Sequence, residues 1–215
     1  ARQLKAATCP YARLATFHRW AQRSDYGLPD IDWSDLPDVP DSENVLPGII
    51  AESEYLEALN LINSEIKALG RDFVLSASFM LIGGYRFGLR RRESWGMLRR
   101  DFRLEGVDTV VLVCGNSFRK LKTRGSRRQV PLLFTLTAME LRILRSLLSN
   151  FESRHGDQNS LPILAGRNGD LLPVEKYSKV INVALKRATG NESISLHHAR
   201  HSFANNVTMG FVGNV

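Results

Sequence analysis

A histidine and an arginine near the C-terminal end of the chain have the types and spacing needed to act on a phosphate. His197 and Arg200 are three residues apart at the start of a predicted helix, so their side chains share one face. A guanidinium fork binds two phosphate oxygens, while an imidazole donates a hydrogen bond or transfers a proton. The pair therefore predicts a site that binds and activates a phosphate group. The surrounding sequence is Leu196-His197-His198-Ala199-Arg200-His201-Ser202-Phe203-Ala204.

Two basic stretches upstream contain the residue types that would complete such a site. The first follows an apolar segment and includes Arg90 and Glu93. The second includes Lys122 and ends in a short apolar run, so it predicts a β-hairpin with a basic tip. Lys120 is the alternative lysine for that position. The two stretches are Gly88-Leu89-Arg90-Arg91-Arg92-Glu93 and Lys122-Thr123-Arg124-Gly125-Ser126-Arg127-Arg128-Gln129-Val130-Pro131-Leu132.

Positive charge is concentrated in one part of the chain. The whole chain has a formal charge of +7, but residues 86–128 alone contain 13 Lys or Arg against four Asp or Glu. Most of these cations are arginines, which favour bidentate contacts to phosphate. The segment predicts a polyanionic partner, and the alternative is a solvated charged face. The candidates for contacts to a phosphate backbone are Arg91, Arg92, Arg99, Arg100, Arg124, Arg127 and Arg128.

The overall composition limits the class of protein. With 43% hydrophobic and 24% charged residues, the chain resembles an ordinary globular protein. No apolar run approaches the roughly 20 residues that a membrane span needs, and the N-terminus lacks the apolar stretch of a signal peptide. The two cysteines, Cys9 and Cys114, do not have the spacing of metal ligands. We therefore predict a reduced, cytoplasmic protein with no membrane partner.

The pattern of apolar and breaking residues predicts a mixed α+β, mainly α-helical fold with one small antiparallel sheet. Helices are predicted over 53–69, 72–85, 137–149, 175–188 and 198–209, with Gly70 ending the first and Asp72 capping the second. Strands are predicted over 108–114 and 128–132. A further helix over 11–23 precedes an acidic, proline-containing segment, which reads as a linker. We therefore predict an N-terminal segment over 1–45 and a main domain over 46–215.

Taken in order, the three motifs resemble the catalytic domain of the tyrosine recombinases, the phage-integrase family. That family has a G-L-R-x-x-E box, a lysine on a β-hairpin that leads into a V-P-L-like strand, and an H-x-x-R-H-[ST]-F box. The resemblance covers about 46–215 and implies the tyrosine-recombinase catalytic-domain fold. For the N-terminal segment over 1–45 two interpretations stay open: its helix is the remnant of a DNA-clamping domain, or it packs on the main core.

The resemblance implies an enzyme that cuts and rejoins DNA for recombination or for integration of a mobile genetic element. A tyrosine attacks a phosphodiester and gives a 3′-phosphotyrosyl intermediate with a free 5′-hydroxyl. Arg90 and Arg200 would clamp the phosphate, Lys122 would protonate the leaving 5′-oxygen, and His197 would hydrogen-bond the phosphate and assist proton transfer. The supporting residues would be Glu93 and His201. No metal or other cofactor is implied, and the partners would be double-stranded DNA and further copies of the chain, in a tetramer on two duplexes.

The three motifs do not include the tyrosine that would act as the nucleophile. In the family the catalytic tyrosine follows the H-x-x-R-H box, but the tyrosines of this chain all precede His197; they are Tyr11, Tyr26, Tyr55, Tyr85 and Tyr177. We therefore expect the domain to be incomplete at its C-terminus and the chain to be inactive alone, with the tyrosine located beyond Val215 or supplied by another protomer.

Two alternatives use the same scaffold. One is a DNA-binding regulator that does not cut DNA, and the other is a related type IB topoisomerase or telomere resolvase. A metal-dependent nuclease is disfavoured because the sequence has no cluster of carboxylates that would hold the metal.

Overall fold

The chain divides into two units, Ala1–Leu46 and Pro47–Val215. The computed structural model describes residues 18, 48–121 and 126–212, almost all of them in the second unit. Apart from His18, the helix predicted over 11–23 and the acidic segment after it lie outside the described residues. The domain assignment made for 1–45 therefore stays a prediction.

The described part of the second unit contains seven α-helices and three short strands, besides short 3-10 helices at Arg99–Asp101 and Gly106–Asp108. In chain order they are α1 (Glu52–Ser64), α2 (Ile66–Leu69), α3 (Arg71–Phe87), α4 (Arg91–Trp95), β1 (Phe102–Arg103), β2 (Val110–Val113), β3 (Arg128–Pro131), α5 (Ala138–His155), α6 (Val174–Thr189) and α7 (Leu196–Val212). The predicted fold class, mainly helical with one small antiparallel sheet, is confirmed. None of the described helices is long and apolar enough to cross a lipid bilayer.

Helix α3 is the centre of the hydrophobic core. Its sequence is apolar on almost every side, as expected for a helix surrounded by others, and it packs against α1, α5, α6 and α7. Contact with α7 is especially close, because a Cβ added to Gly84 would lie only 3.2 Å from the Cβ of Ala199. Small residues on both helices thus bring the C-terminal half of α3 against the first turns of α7.

The three strands form one antiparallel sheet in the order β1-β2-β3. In β2, Val111 and Val113 face the core while Leu112 is exposed, which is the alternation expected of a half-buried strand. Val111 pairs with Val130, and Val113 pairs with Arg128. Strands β2 and β3 therefore form the predicted antiparallel pair, and residues 122–125, between them in the sequence, lie outside the described part.

The structure corrects several predicted boundaries. The helix predicted over 53–69 is divided at Glu65, where the backbone leaves the helical range between α1 and α2. The prediction that Asp72 caps α3 is wrong, because Gly70 precedes the helix and Asp72 lies in its first turn. Its carboxylate instead accepts a hydrogen bond from Arg154 Nη1 at 3.0 Å, and so joins α3 to α5. Strand β1 was not predicted, since two residues give no readable periodicity.

A buried ion pair and its hydrogen bonds connect α1, α3 and α5. Glu140 at the start of α5 is fully buried and accepts hydrogen bonds from Arg86 Nε at 2.7 Å and from the Tyr55 hydroxyl at 2.6 Å. The Arg86 guanidinium also lies over the rings of Tyr55 and Tyr85, at 5.2 and 5.3 Å from their centroids. These contacts fix the C-terminal end of α3, from which the chain continues directly into the site.

Candidate phosphate site

A cavity of about 310 Å³ opens where the start of α4 meets α6 and the first turns of α7. Three of the sequence-predicted catalytic residues, Arg90, His197 and Arg200, line it together. The other lining residues are Leu89, Arg91, Ser178, Asn182, Ser195 and Leu196. The packing of α3 against α7 thus brings Arg90 and His197, which are 107 positions apart in the sequence, to one pocket.

The turn between α3 and α4 places Arg90 at the rim of this cavity. Gly88 ends α3 with φ of +60°, and a Cβ at this position would lie 2.4 Å from a ring carbon of Phe203. Glycine is therefore required both by the left-handed backbone and by the close approach of α7. The buried side chain of Leu89 then anchors the chain, and Arg90 directly precedes α4 with its side chain 41% exposed.

A buried carboxylate holds Arg90 in this position. Glu93 Oε2 accepts the backbone N–H of Arg90 at 2.8 Å, and Oε1 accepts from Arg90 Nη1 at 2.9 Å. Arg128 of β3 donates to the same carboxylate, from Nη2 at 2.7 Å. Burial raises the pKa of Glu93, but hydrogen bonds from Arg128 and Arg90 outweigh burial and bring the pKa down to about 2. Glu93 is therefore a fixed anion that joins α4 to the sheet, and its supporting role in a reaction stays a prediction.

Arg200 is anchored from the opposite side of the pocket. Its Nη1 donates to the carbonyl oxygen of Gly88, so the guanidinium ties α7 to the C-terminal end of α3. Burial lowers the pKa of Arg200, and the nearby Arg90 and Arg128 lower it further. The guanidinium remains charged, because arginine stays protonated in proteins. Two guanidinium groups are thus held in one pocket, and an anion bound between them would relieve their mutual repulsion.

His197 adds a neutral imidazole to the two cations. Burial lowers the pKa of His197, and the nearby histidine and arginine side chains lower it further. At neutral pH its ring is therefore uncharged and can exchange a proton with a ligand. The ring of His201 packs at right angles against it, with 4.5 Å between centroids. This contact limits the orientations open to the His197 ring, and the supporting role of His201 stays a prediction.

The first turn of α7 is fixed by two side chains. His198 Nδ1 accepts the backbone N–H of Ser195 at 3.1 Å, so this histidine faces the helix start. Asn182 of α6 accepts the backbone N–H of Leu196 through Oδ1 at 2.8 Å. These bonds satisfy donors that a helix N-terminus leaves without intrahelical partners. Asn182 was not predicted, because nothing in the sequence indicates a contact between residues on separate helices.

The base of the β2–β3 hairpin is attached to α4 by a buried arginine. Arg119 donates through Nη1 to the carbonyl oxygen of Glu93 and through Nε to that of Cys114 at 2.9 Å. Its Nη2 donates to Asp101 at 3.2 Å. No pattern in the sequence distinguishes Arg119 from the exposed arginines near it. Lys122 and Arg124 lie outside the described residues, so their roles stay predictions.

The remaining candidates for backbone contacts differ in their surroundings. Arg91 lines the cavity, and Arg92, Arg100 and Arg127 are exposed. Arg99 donates to Glu152 at 3.0 Å, and Arg128 is bound to Glu93. Part of the predicted cationic surface is therefore used within the fold, and contacts of these residues to a phosphate backbone stay predictions.

Within residues 18, 48–121 and 126–212, no three His, Cys, Asp or Glu side chains are grouped so that they could hold a metal ion.

Comparison with known proteins gives matches only at the level of structure. No protein-family model matches the chain, and no curated protein matches it significantly. The XerH site-specific recombinase bound to palindromic difH superposes with a TM-score of 0.57 and 20% identity, over 81% of this chain and 46% of XerH. The XerA recombinase gives a TM-score of 0.52 and 15% identity, over 95% of this chain and 63% of XerA.

The Tn1549 transposon integrase in complex with transposon right end DNA is a third match. It superposes with a TM-score of 0.53 and 18% identity, over 91% of this chain and 64% of the integrase. The chain therefore has the tyrosine-recombinase catalytic-domain fold, as the sequence motifs predicted. It spans about half to two thirds of the length of these proteins.

The low pKa of Glu93 predicts a specific loss of stability in acid. Because folding lowers the pKa from 4.5 to about 2, the ionised carboxylate stabilises the fold above pH 4.5, and this contribution disappears as the pH falls towards 2. It amounts to about 3 kcal/mol. Between pH 4.5 and pH 2, the free energy of unfolding should therefore fall more in the wild type than in Glu93→Gln, and the difference should be about 3 kcal/mol. The measurement is urea titration at a series of pH values.

Glu105→Gln is the matched control, because Glu105 is an exposed carboxylate paired with Arg103 at the surface. Its unfolding free energy should follow that of the wild type across the same pH range. Equal pH dependence in the wild type and Glu93→Gln would show that Glu93 is not held as an anion.

Proposed function

We propose that this chain is the catalytic domain of a site-specific DNA recombinase or integrase, which cuts and rejoins DNA strands through a 3′-phosphotyrosyl intermediate. The observation that carries the proposal is the shared pocket of Arg90, His197 and Arg200. The fold and the DNA-bound state of the XerH and Tn1549 proteins support it. Its place of action would be the cytoplasm, on double-stranded DNA, in a tetramer of the chain.

The charges of the pocket suit a phosphodiester. A diester carries one negative charge, and attack on phosphorus raises the charge on its non-bridging oxygens. Fixed cationic donors lower the energy of that transition state more than the energy of the bound substrate. Arg90 and Arg200 are such donors, because Glu93 and the Gly88 carbonyl hold them before any ligand binds.

The reaction then proceeds by exchange of one phosphate ester for another. The tyrosine oxygen forms a bond to phosphorus as the bond from phosphorus to the 5′-oxygen breaks. The phenol gives up its proton with the help of His197, whose lowered pKa keeps the imidazole neutral. Lys122 protonates the leaving 5′-oxygen. Rejoining reverses these steps with a 5′-hydroxyl as the nucleophile, so the bond energy is conserved.

The proposed nucleophile is not one of the tyrosines that the structure describes. Tyr55, Tyr85 and Tyr177 are all at most 2% exposed and belong to the core, away from the cavity. Tyr11 and Tyr26 lie outside the described residues and precede the motif. The proposal therefore assigns the attack to a tyrosine that follows the H-x-x-R-H box or to one from a second protomer.

DNA binding by this chain should depend steeply on salt. Each contact between a cation and a phosphate contributes about one unit to the slope of log affinity against log salt concentration. The variant Arg90→Ala/Arg200→Ala should reduce that slope by about one to two units. The measurement is fluorescence anisotropy with a labelled duplex over a series of salt concentrations.

The matched control is Arg142→Ala/Arg145→Ala, which removes the same charge from exposed positions on α5. It should leave the slope close to that of the wild type. The same reduction in both double variants would mean that the pocket does not bind a phosphate and that attraction to DNA is diffuse.

Strand cleavage should require both clamps. In a preparation that contains the nucleophilic tyrosine, in the same chain or on a partner protomer, Arg200→Ala should lower the yield of covalent protein–DNA adducts at least about a hundredfold. DNA affinity should change far less, because other cations contribute to it. The adducts are quantified by denaturing gel electrophoresis with labelled DNA, and Arg145→Ala is the control.

Unchanged adduct formation in Arg200→Ala would refute the assignment of the clamp. Intact DNA binding with no adduct in the unsubstituted protein would instead favour the non-catalytic regulator.

A further inference from the structure

The side chain of Asn182 links α6 to the first residue of α7. Its Oδ1 lies 2.8 Å from the backbone nitrogen of Leu196. A backbone N–H can only donate, so the amide atom that faces it must be the oxygen. This contact fixes the orientation of the amide group and therefore the side on which Nδ2 lies.

The nitrogen of the same amide is available to a ligand. Among the described residues, the side chain of Asn182 makes one hydrogen bond, which it accepts through Oδ1 from the backbone N–H of Leu196. The residue is partly exposed and lines the cavity together with Arg90, His197 and Arg200. An amide NH₂ group is a neutral donor of two hydrogen bonds, which suits a phosphate oxygen.

The position of Leu196 makes this contact relevant to the site. Leu196 is the first residue of α7, and His197 and Arg200 follow within the next turn. The ends of helices fray, and their first N–H groups have no intrahelical acceptor. A side-chain acceptor from a neighbouring helix limits that motion, so the imidazole and the guanidinium keep their geometry.

The residue type is also informative. An aspartate would accept the same N–H and would interact well with the positive end of the helix. It would, however, place a negative charge in a pocket that binds an anion. Asparagine provides the same acceptor without that charge.

We propose that Asn182 is a positioning residue of the phosphate pocket: its Oδ1 holds the first turn of α7, and its Nδ2 donates to an oxygen of the bound phosphate. This inference rests on the proposed function, because it takes the ligand of the pocket to be a phosphate group of DNA. It assigns to α6 a direct part in the site, beside the three sequence motifs.

The test uses the 215-residue chain and inorganic sulfate, a tetrahedral oxyanion like a phosphate group, whose charge does not change near neutral pH. The readout is the NMR signal of the His197 imidazole during titrations with sulfate and with pH. The variants are Asn182→Asp, which keeps the acceptor, and Asn182→Leu, which removes both amide functions. Asn60→Asp, on the exposed side of α1, is the control for net charge.

Sulfate should shift the His197 signal in the wild type and in Asn60→Asp with the same affinity. Asn182→Asp should melt no lower than the wild type, bind sulfate at least about fivefold more weakly, and raise the pKa of His197. Asn182→Leu should melt lower and change the His197 signal before any sulfate is added.

Wild-type sulfate affinity and an unchanged His197 pKa in Asn182→Asp would overturn the inference, even if Asn182→Leu fails to fold. Arg200→Ala separates this result from failure of the proposed function. If Arg200→Ala loses sulfate binding while Asn182→Asp retains it, the pocket is an anion site and only the role of Asn182 is wrong. If sulfate does not shift His197 in the wild type, both proposals fail.

Discussion

The buried carboxylate of Glu93 is the contact on which the rest of the site depends. Helix α4 has five residues, and so short a helix has little stability of its own. Glu93 joins it to β3 through Arg128, while Arg119 joins its backbone to the base of the hairpin. Removing Glu93 would leave the guanidinium groups of Arg90 and Arg128 without the anion that they share. The same carboxylate orients Arg90, so the stability of α4 and the geometry of the clamp have one cause.

The pocket brings together positively charged groups that repel each other. Two guanidinium groups lie near the imidazole of His197, and the pKa values of both His197 and Arg200 are lowered. Glu93 and the Gly88 carbonyl offset part of this repulsion. Functional sites often keep such unfavourable arrangements, which the surrounding fold must stabilise. Here that support comes from α3. This helix packs closely against α7 at Gly84, and its Arg86 forms an ion pair with Glu140; neither contact involves a residue that lines the pocket.

The sequence was sufficient to predict the longer helices α1, α3, α5, α6 and α7, but not the five-residue α4. The meeting of Arg90 with His197 and Arg200 was implied by the resemblance of the three motifs to those of the tyrosine recombinases, and the burial of α3 followed from its apolar composition. Contacts that depend on tertiary packing could not be predicted. In the sequence, Arg119 cannot be distinguished from the exposed arginines near it, because its burial depends on the packing of the sheet. The contact of Asn182 likewise depends on α6 lying beside α7. Asp72 was misassigned as a cap because its partner, Arg154, lies 82 positions away.

The most direct test of the central claim is a crystal structure of this chain bound to a DNA duplex. We expect one backbone phosphate to occupy the cavity, with its oxygens about 3 Å from the guanidinium nitrogens of Arg90 and Arg200 and within hydrogen-bonding distance of His197. The β2–β3 hairpin should then lie beside the same phosphate. A duplex bound on another face, with only solvent between Arg90 and Arg200, would contradict the account.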